Sequence, residues 1–556
     1  MKLRREVSAD KLRGGFYTPP ALVDFCWRRA AALVDGSQVI RVLEPSAGDG
    51  AFVRGLGRVS EDVRGLVKDV LAVEIIPEEA AKVDLSLGAL DLPGQVLRRS
   101  ILPWAAGTDE WFGLVVGNPP FVRYQFVSDA DKVAIGDLGA RLGLTFGGVG
   151  NLWIPVLLGS LARLEPRGAL SVVLPTECFT GCSAAVVRDW LSSEIEDLTF
   201  DLFPPGSFPD VLQEVAVVSG RRRVGTASSS PYVEIVEHTA DSRSRNWSFR
   251  PNVGDRSWTR SLLEPRHLAA LEEAQAMRGV GRLGDVARME VSIVTGANDF
   301  FCVDEATVER FGLRRWAKPL LARSKHAPGL MVSAKDIQAA RISGSRTWLL
   351  DFDASAPDPG ASSGPRDYLQ AGLEKGLATR YKCRIREPWY RVPSVRAGRL
   401  LLSKRSHLFP RLMLNETVAY TTDTIYRGDV IPGAPIGAAD MVAAFHCSLT
   451  LLTVELEGRS FGGGVLELVP SEIARLSVVT EPGLGEDLTA LDGALRAGAG
   501  PDDLVAETDA ILVRRGLLSP DLAVLLAEAR HELMARRLHR NQVGGRDVDT
   551  WTARAA

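Results

Sequence analysis

Two short stretches carry residue types that could do chemistry together. The first is Phe112-Gly-Leu-Val-Val-Gly-Asn118-Pro119-Pro120-Phe121, an apolar run whose end delivers an amide, two prolines and an aromatic ring. The prolines fix the backbone, so the Asn118 side-chain oxygen and the Pro119 carbonyl can point at one spot while Phe121 offers a stacking face. An amino group on a planar ring fits between them. Two acceptors facing an NH2 raise electron density on its nitrogen as it attacks an electrophile such as a methyl sulfonium, with no covalent intermediate required. The second stretch is Val42-Leu-Glu44-Pro-Ser46-Ala-Gly48-Asp-Gly50-Ala-Phe52, an apolar strand running into a glycine-bearing turn and then a helix. Glycines let a backbone approach a ligand closely, and a following helix presents unpaired amides. Further on, Val70-Leu-Ala-Val-Glu74 ends in a carboxylate that either sits where a ribose hydroxyl pair would in a doubly wound fold or caps the next helix at Pro77-Glu-Glu.

These groups need a scaffold, and the chain has one to offer. Short β-branched runs at Val39–Leu43, Val70–Glu74, Leu114–Val116, Leu170–Leu174 and Val215–Ser219 alternate with helical patterns such as Ala21–Val34 and Leu152–Leu164. That alternation predicts an α/β domain built on a mostly parallel, doubly wound sheet over residues 1–225. A small, polar stretch around Gly225-Thr-Ala-Ser-Ser-Ser-Pro231 predicts a linker over 226–260. Beyond it a mixed α+β domain is expected over 261–485, interrupted by a loop at Ala354–Pro365, and then a helical segment over 486–556 with two helices between Asp503 and Arg540.

Composition bounds the function classes. With 556 residues, 66 Lys plus Arg, 69 Asp plus Glu and a net charge of −3, no globally basic field advertises a nucleic-acid partner, so any such surface is local. A 46% hydrophobic and 24% charged chain argues against disorder. The six cysteines are scattered, which excludes a disulfide framework and a four-cysteine zinc site, and none stands beside a proline as a carbon-5 cytosine methylation nucleophile would. The polar start predicts no secretory leader, and the most apolar stretch, carrying Arg163, is too short for a bilayer; a cytoplasmic protein without a membrane span is expected.

The order of motifs resembles the gamma-class adenine-N6 DNA methyltransferases of bacterial restriction-modification systems, in which the cofactor motif precedes Asn-Pro-Pro-aromatic and a target-recognition domain comes last. The resemblance implies a Rossmann-like domain that uses S-adenosyl-L-methionine. Gly14-Gly-Phe-Tyr17-Thr18-Pro19-Pro20 looks like the family's segment over the methionine end of the cofactor. By resemblance Tyr17, Thr18, Glu44, Ser46, Gly48, Glu74, Ser100 and Pro120 line the cofactor site, while Asn118, Pro119, Pro120 and Phe121 hold the target base. In one departure, Arg99-Ser100-Ile101-Leu102 stands where the family has Asp-Phe-Leu contacting the cofactor adenine. A neutral Ser100 hydroxyl accepts a hydrogen bond less strongly than a carboxylate. Asn151-Leu152-Trp153 and Val172–Glu177 resemble the segments after the fourth strand, and in Gly206–Val218 the resemblance gives Phe208 the opposite face of an extruded base.

An adenine inside a duplex cannot reach such a pocket, so the nucleotide must flip out. The second domain is expected to drive this. A basic stretch supplies Arg380, Lys382, Arg384, Arg386, Lys404 and Arg405 with Trp389 and Tyr390 interleaved, opposed only by Glu387. It reads as a phosphate-tracking surface on double-stranded DNA. Val291–Phe301 and Glu457–Leu468 also resemble target-recognition segments. With the cofactor segment starting at Gly14 and no carboxylate cluster for metal, cleavage is expected from a separate endonuclease, and the chain itself is expected to be monomeric. Other readings of Asn-Pro-Pro-aromatic are methylation of RNA adenine or of protein glutamine; a non-catalytic DNA-binding protein keeping the fold is a third.

Overall fold

A computed structural model describes residues 17–539, apart from 37, 123, 147–149, 181, 205–206, 209–214, 226–231, 240–242, 253, 256, 354–356, 394 and 462–463. Gly14, Gly15, Phe16, Gly206 and Pro209 to Glu214 therefore lie outside the described residues. The chain divides into two compact units that meet in sequence between Glu264 and Pro265.

The first unit is built on nine strands: β1 (Ile40–Glu44), β2 (Val67–Val73), β3 (Gly94–Leu97), β4 (Phe112–Gly117), β5 (Leu164–Pro175), β6 (Ile195–Leu202), β7 (Val215–Arg222), β8 (Val233–His238) and β9 (Ser244–Phe249). Their order is β3-β2-β1-β4-β5-β7-β6-β8-β9. β1 pairs parallel to both β2 and β4, while β7 runs antiparallel between β5 and β6. The strand order reverses between β1 and β4, and a crevice at the carboxyl ends of such a pair is where doubly wound sheets bind ligands. Glu44 ends one of these strands and Asn118 follows the other.

The strand centres are dry. All six residues of β4 are buried, as are Val42 and Leu43 of β1, consistent with a sheet covered on both faces. Helix α1 (Pro20–Leu33) begins directly after the Tyr17-Thr18-Pro19 segment and is fixed through Trp27, whose indole donates to the carbonyl of Phe52 at 3.0 Å. Gly55 admits this packing, because a Cβ there would lie 2.4 Å from Val23 Cγ1. Helix α2 (Trp153–Leu161) has no exposed residue, as its almost wholly apolar sequence demands; its one hydroxyl, on Ser160, donates to the Val156 carbonyl.

Two boundaries differ from expectation. Among the described residues of 226–260 the chain is not a linker: β8 and β9 form a hairpin that extends the sheet, with β8 parallel to β6. Alternating Val233, Ile235 and the polar residues between them make a one-sided strand that a composition scan reads as loop. The helices past 486 are likewise not a separate segment but part of the second unit, residues 265–539. Three of them form, Leu488–Arg496, Pro501–Arg514 and Pro520–His539. The last is tied down by Arg537, 3% exposed, whose guanidinium grips both Glu455 oxygens at 2.8 and 2.6 Å.

The second unit holds a five-stranded sheet in the order Ala287–Glu290, Ile425–Val430, Leu400–Ser403, Leu412–Asn415 and Met331–Val332. A separate apolar cluster gathers Phe300, Phe301, Trp316, Leu349 and Phe352. Among the described residues no single helix is long and apolar enough to cross a membrane, and no group of His, Cys, Asp or Glu is placed to hold a metal ion.

Candidate active site

At the end of β1 the chain turns through Pro45 to Gly50, and two glycines make the turn possible. Gly48 (φ +53°) and Gly50 (φ +82°) both occupy the left-handed region. A Cβ on Gly50 would also sit 3.3 Å from Val83 Cα. The turn is pinned from β2: the Gly48 amide donates to Glu74 at 2.8 Å and the Ile76 amide donates to its other oxygen at 2.8 Å. A carboxylate has about four acceptor sites, so Glu74 keeps capacity for a hydroxyl pair. Burial raises its pKa, and the two amides oppose that rise.

Glu44 is more unusual. It is 1% exposed, and neither carboxylate oxygen has a hydrogen-bond partner. Desolvation first, then the neighbouring charges of Asp49 and Glu74, push its carboxyl well above the usual carboxylate range. A buried unpaired carboxylate is costly unless a cation or donor completes it. The chemistry therefore fits an ammonium-bearing ligand lying beside Glu74.

The end of β4 is oriented from two directions. Ser46 donates its hydroxyl to the Asn118 carbonyl at 2.9 Å, joining the glycine turn to the Asn-Pro-Pro segment. The Asn118 amide NH2 donates to Thr18 Oγ1 at 3.1 Å. Its Oδ1 is buried and has no partner. Thr18 thus uses its hydroxyl on Asn118 rather than as a cap, and the cap position of α1 falls to Pro19. Tyr17 donates to Glu79 at 3.1 Å, and Lys82 lies 5.8 Å from its ring centroid.

Phe121 and Phe208 are both half-buried and pack against the same large apolar cluster. Phe208 meets Phe203 edge-on at 5.0 Å, and Phe203 stacks on His238 at 5.2 Å. Asp201, fully buried, holds His238 at 2.8 Å and takes both Arg29 nitrogens at 2.7 and 2.5 Å. Sequence reading missed this network, because Asp201 sits in Asp-Leu-Thr-Phe-Asp, whose acids read as surface.

Ser100 has a different occupation from the one expected. It caps the helix Ile101–Gly107 and donates to Asp131 Oδ1 at 2.5 Å. Asp131 comes from the helix Asp129–Leu142 and also accepts from Ser128 at 2.8 Å.

In the second unit the basic stretch divides. Arg386 donates to the carbonyls of Thr295 at 2.7 Å and Val294 at 2.8 Å, so it clamps a loop instead of facing phosphate. Trp389 packs on Phe300 at 5.5 Å and Tyr390 on Phe352 at 5.6 Å, so both are partly buried against the apolar cluster. Lys404 and Arg405 pair with Glu467 at 3.6 and 2.5 Å. Arg380, Lys382 and Arg384 are exposed and outside any salt bridge among the described residues.

Comparison with known proteins covers both units. Residues 255–513 match the family described as type II methyltransferase M.Eco57I, C-terminal domain. The chain is 22% identical over 481 residues to the type II methyltransferase M.XamI of Xanthomonas campestris pv. amaranthicola, covering 84% of this chain and 85% of the relative. It is 32% identical over 189 residues to the type II methyltransferase M.TthHB8I of Thermus thermophilus, a match spanning 33% of this chain and 39% of that relative. Among solved structures, a DrdV–DNA complex matches 87% of this chain and 57% of its own at a TM-score of 0.47 and 11% identity. The family match lies across most of the second unit and the M.XamI alignment runs over both units, so the chain is similar to type II methyltransferases along most of its length.

Proposed function

We propose that this chain transfers a methyl group from S-adenosyl-L-methionine to N6 of a flipped-out adenine in double-stranded DNA, as the modification component of a restriction-modification or related defence system, with cleavage left to a separate endonuclease and the methyltransferase acting as a monomer. The observation that carries the reading is Asn118: an amide held through its NH2 by Thr18, leaving a buried, unpartnered oxygen beside two prolines and an aromatic ring. A buried acceptor without a donor is expensive, and an amino group is the ligand that completes it.

The cofactor assignment has its own support in Glu44 and Glu74. The orphaned Glu44 carboxylate fits an α-ammonium, and the remaining lone pairs of Glu74 fit ribose hydroxyls. When bound, S-adenosyl-L-methionine supplies an electrophilic methyl on a sulfonium. The protein's part is positioning: Asn118 Oδ1 and the Pro119 carbonyl would accept from the target NH2 while Phe121 and Phe208 face the base; as the N–CH3 bond formed, the S–CH3 bond would break to leave S-adenosylhomocysteine, and the amine proton would pass to solvent. Arg380, Lys382 and Arg384 supply the phosphate contacts.

The test is single-molecule sequencing of plasmid DNA from a methylation-deficient host expressing the chain, with Asn118→Ala as control. Modified adenines in one short motif, absent from the control, are expected. Modified adenines that persist with Asn118→Ala, or their absence with the unaltered chain, would remove the basis of the assignment.

A further inference from the structure

Large apolar side chains standing side by side in water call for an explanation that scattered ones do not. In the second unit Tyr381 is 65% exposed and Ile385 is 62% exposed. They bracket the single helical turn Tyr381–Arg384, four residues apart, which puts them on the same side of that turn. Val294, at 37% exposed, belongs to the loop bound to this turn through Arg386.

The turn is firmly founded. Cys383 beneath it is fully buried, and Arg386 grips two carbonyls of the neighbouring loop. Gly296, at φ +79°, brings that loop so close that a Cβ there would lie 2.7 Å from Lys382 Cβ. Nothing needs to be ordered before this tip can be used.

Its surroundings select the occupant. Arg380, Lys382 and Arg384 alternate with the apolar residues and are exposed, while the nearby Asp299 is already paired with Arg346 at 2.5 Å. A polyanion whose interior is apolar matches an apolar tip ringed by cations, and duplex DNA has that character: phosphates outside, base faces inside. Apolar side chains inserted between base steps, flanked by cations on the backbone, are a known way to unstack and bend DNA.

We infer that Tyr381 and Ile385 form an apolar tip that enters double-stranded DNA at an unstacked base step, with Arg380, Lys382 and Arg384 holding the phosphates on either side; this rests on DNA being the substrate. The tip replaces Trp389 and Tyr390 as the aromatic element of the DNA contact.

The experiment compares the full chain, the double variant Tyr381→Ala/Ile385→Ala and Arg384→Ala on a short duplex bearing the motif found by sequencing, with 2-aminopurine at successive steps. The double variant should bind about 10- to 100-fold more weakly, keep the wild-type salt slope and lose a 2-aminopurine fluorescence rise at one step. Arg384→Ala should reduce the slope by about 0.9. Binding and fluorescence unchanged in the double variant, or a loss confined to self-association by sedimentation, would overturn the tip. If the unaltered chain neither binds nor methylates DNA, the proposed function itself falls; if it does both and the double variant matches it, only this inference falls. Equal melting temperatures confirm that the exposed substitutions leave the fold intact.

Discussion

Glu44→Gln should make the ligand-free protein more stable while weakening its hold on the cofactor. The carboxyl is buried without a partner, and its pKa lies well above the ordinary 4.5. Whatever its folded value, the penalty at pH 7 has a ceiling, because the group can always take up a proton at 1.36 kcal/mol per pH unit above its unfolded pKa. From 4.5 to 7 that is about 3.4 kcal/mol, which a neutral amide of the same shape avoids. The sign follows from proton counting: across the window from 4.5 upward to the raised folded pKa, the folded state binds more protons than the unfolded state, so stability falls as pH rises. The advantage of the variant should therefore be near zero at pH 4.5 and grow toward pH 7, where it shifts the melting temperature up by roughly 7–14 °C at the ceiling. Cofactor affinity should move the other way, since a charge-assisted bond of about 1.5–3 kcal/mol is lost, a weakening of roughly 10- to 150-fold. Calorimetric melting across pH 5–8 and titration with S-adenosylhomocysteine measure both. Identical ligand-free melting curves at pH 7 and above, or unchanged affinity, would refute the argument that Glu44 is an uncompensated acid awaiting an ammonium.

Thr18→Val keeps shape but frees the Asn118 amide, so single-turnover methyl transfer should slow by about three- to tenfold, and Thr18→Ser should restore it. Ser100→Asp, which recreates the residue usual in the family, should lower the melting temperature and bring no gain in cofactor affinity, because it sets a second carboxylate against Asp131; adding Asp131→Asn should relieve the loss. Trp389→Ala should destabilise the second unit by about 1–3 kcal/mol in denaturant titration, less than a fully buried tryptophan would cost because its ring is only partly covered, and more than a solvent-facing ring would.

The parallel half of the sheet was readable because fully buried strands such as Phe112–Gly117 are unbroken apolar runs, and α2 because nothing in it is polar enough to face water. Strands with one wet face or a buried charge were not. β6 contains Glu196, Asp197 and Asp201, and only the tertiary structure reveals that Asp201 is neutralised by Arg29 from α1, 172 residues away. β3 is a four-residue edge strand with two exposed positions, too short for periodicity to register.

For the site, sequence told which groups were present but not what each was already doing. Glu44, Glu74 and Asn118 were legible because a strand end fixes where its last side chain goes in a doubly wound sheet. Arg386 and Arg384 look equivalent in the sequence, yet one is spent on two backbone carbonyls and the other faces solvent. The same accounting explains why the Asn-Pro-Pro segment can act as a unit. Ser46 ties its backbone to the glycine turn and Thr18 ties its amide to the segment entering α1, so one residue is held by both elements that bracket the cofactor crevice. On the function proposed above, a ligand that settled the turn at Glu44 and Glu74 would also settle the acceptor at Asn118, coupling cofactor binding to readiness for the target amine through these two hydrogen bonds.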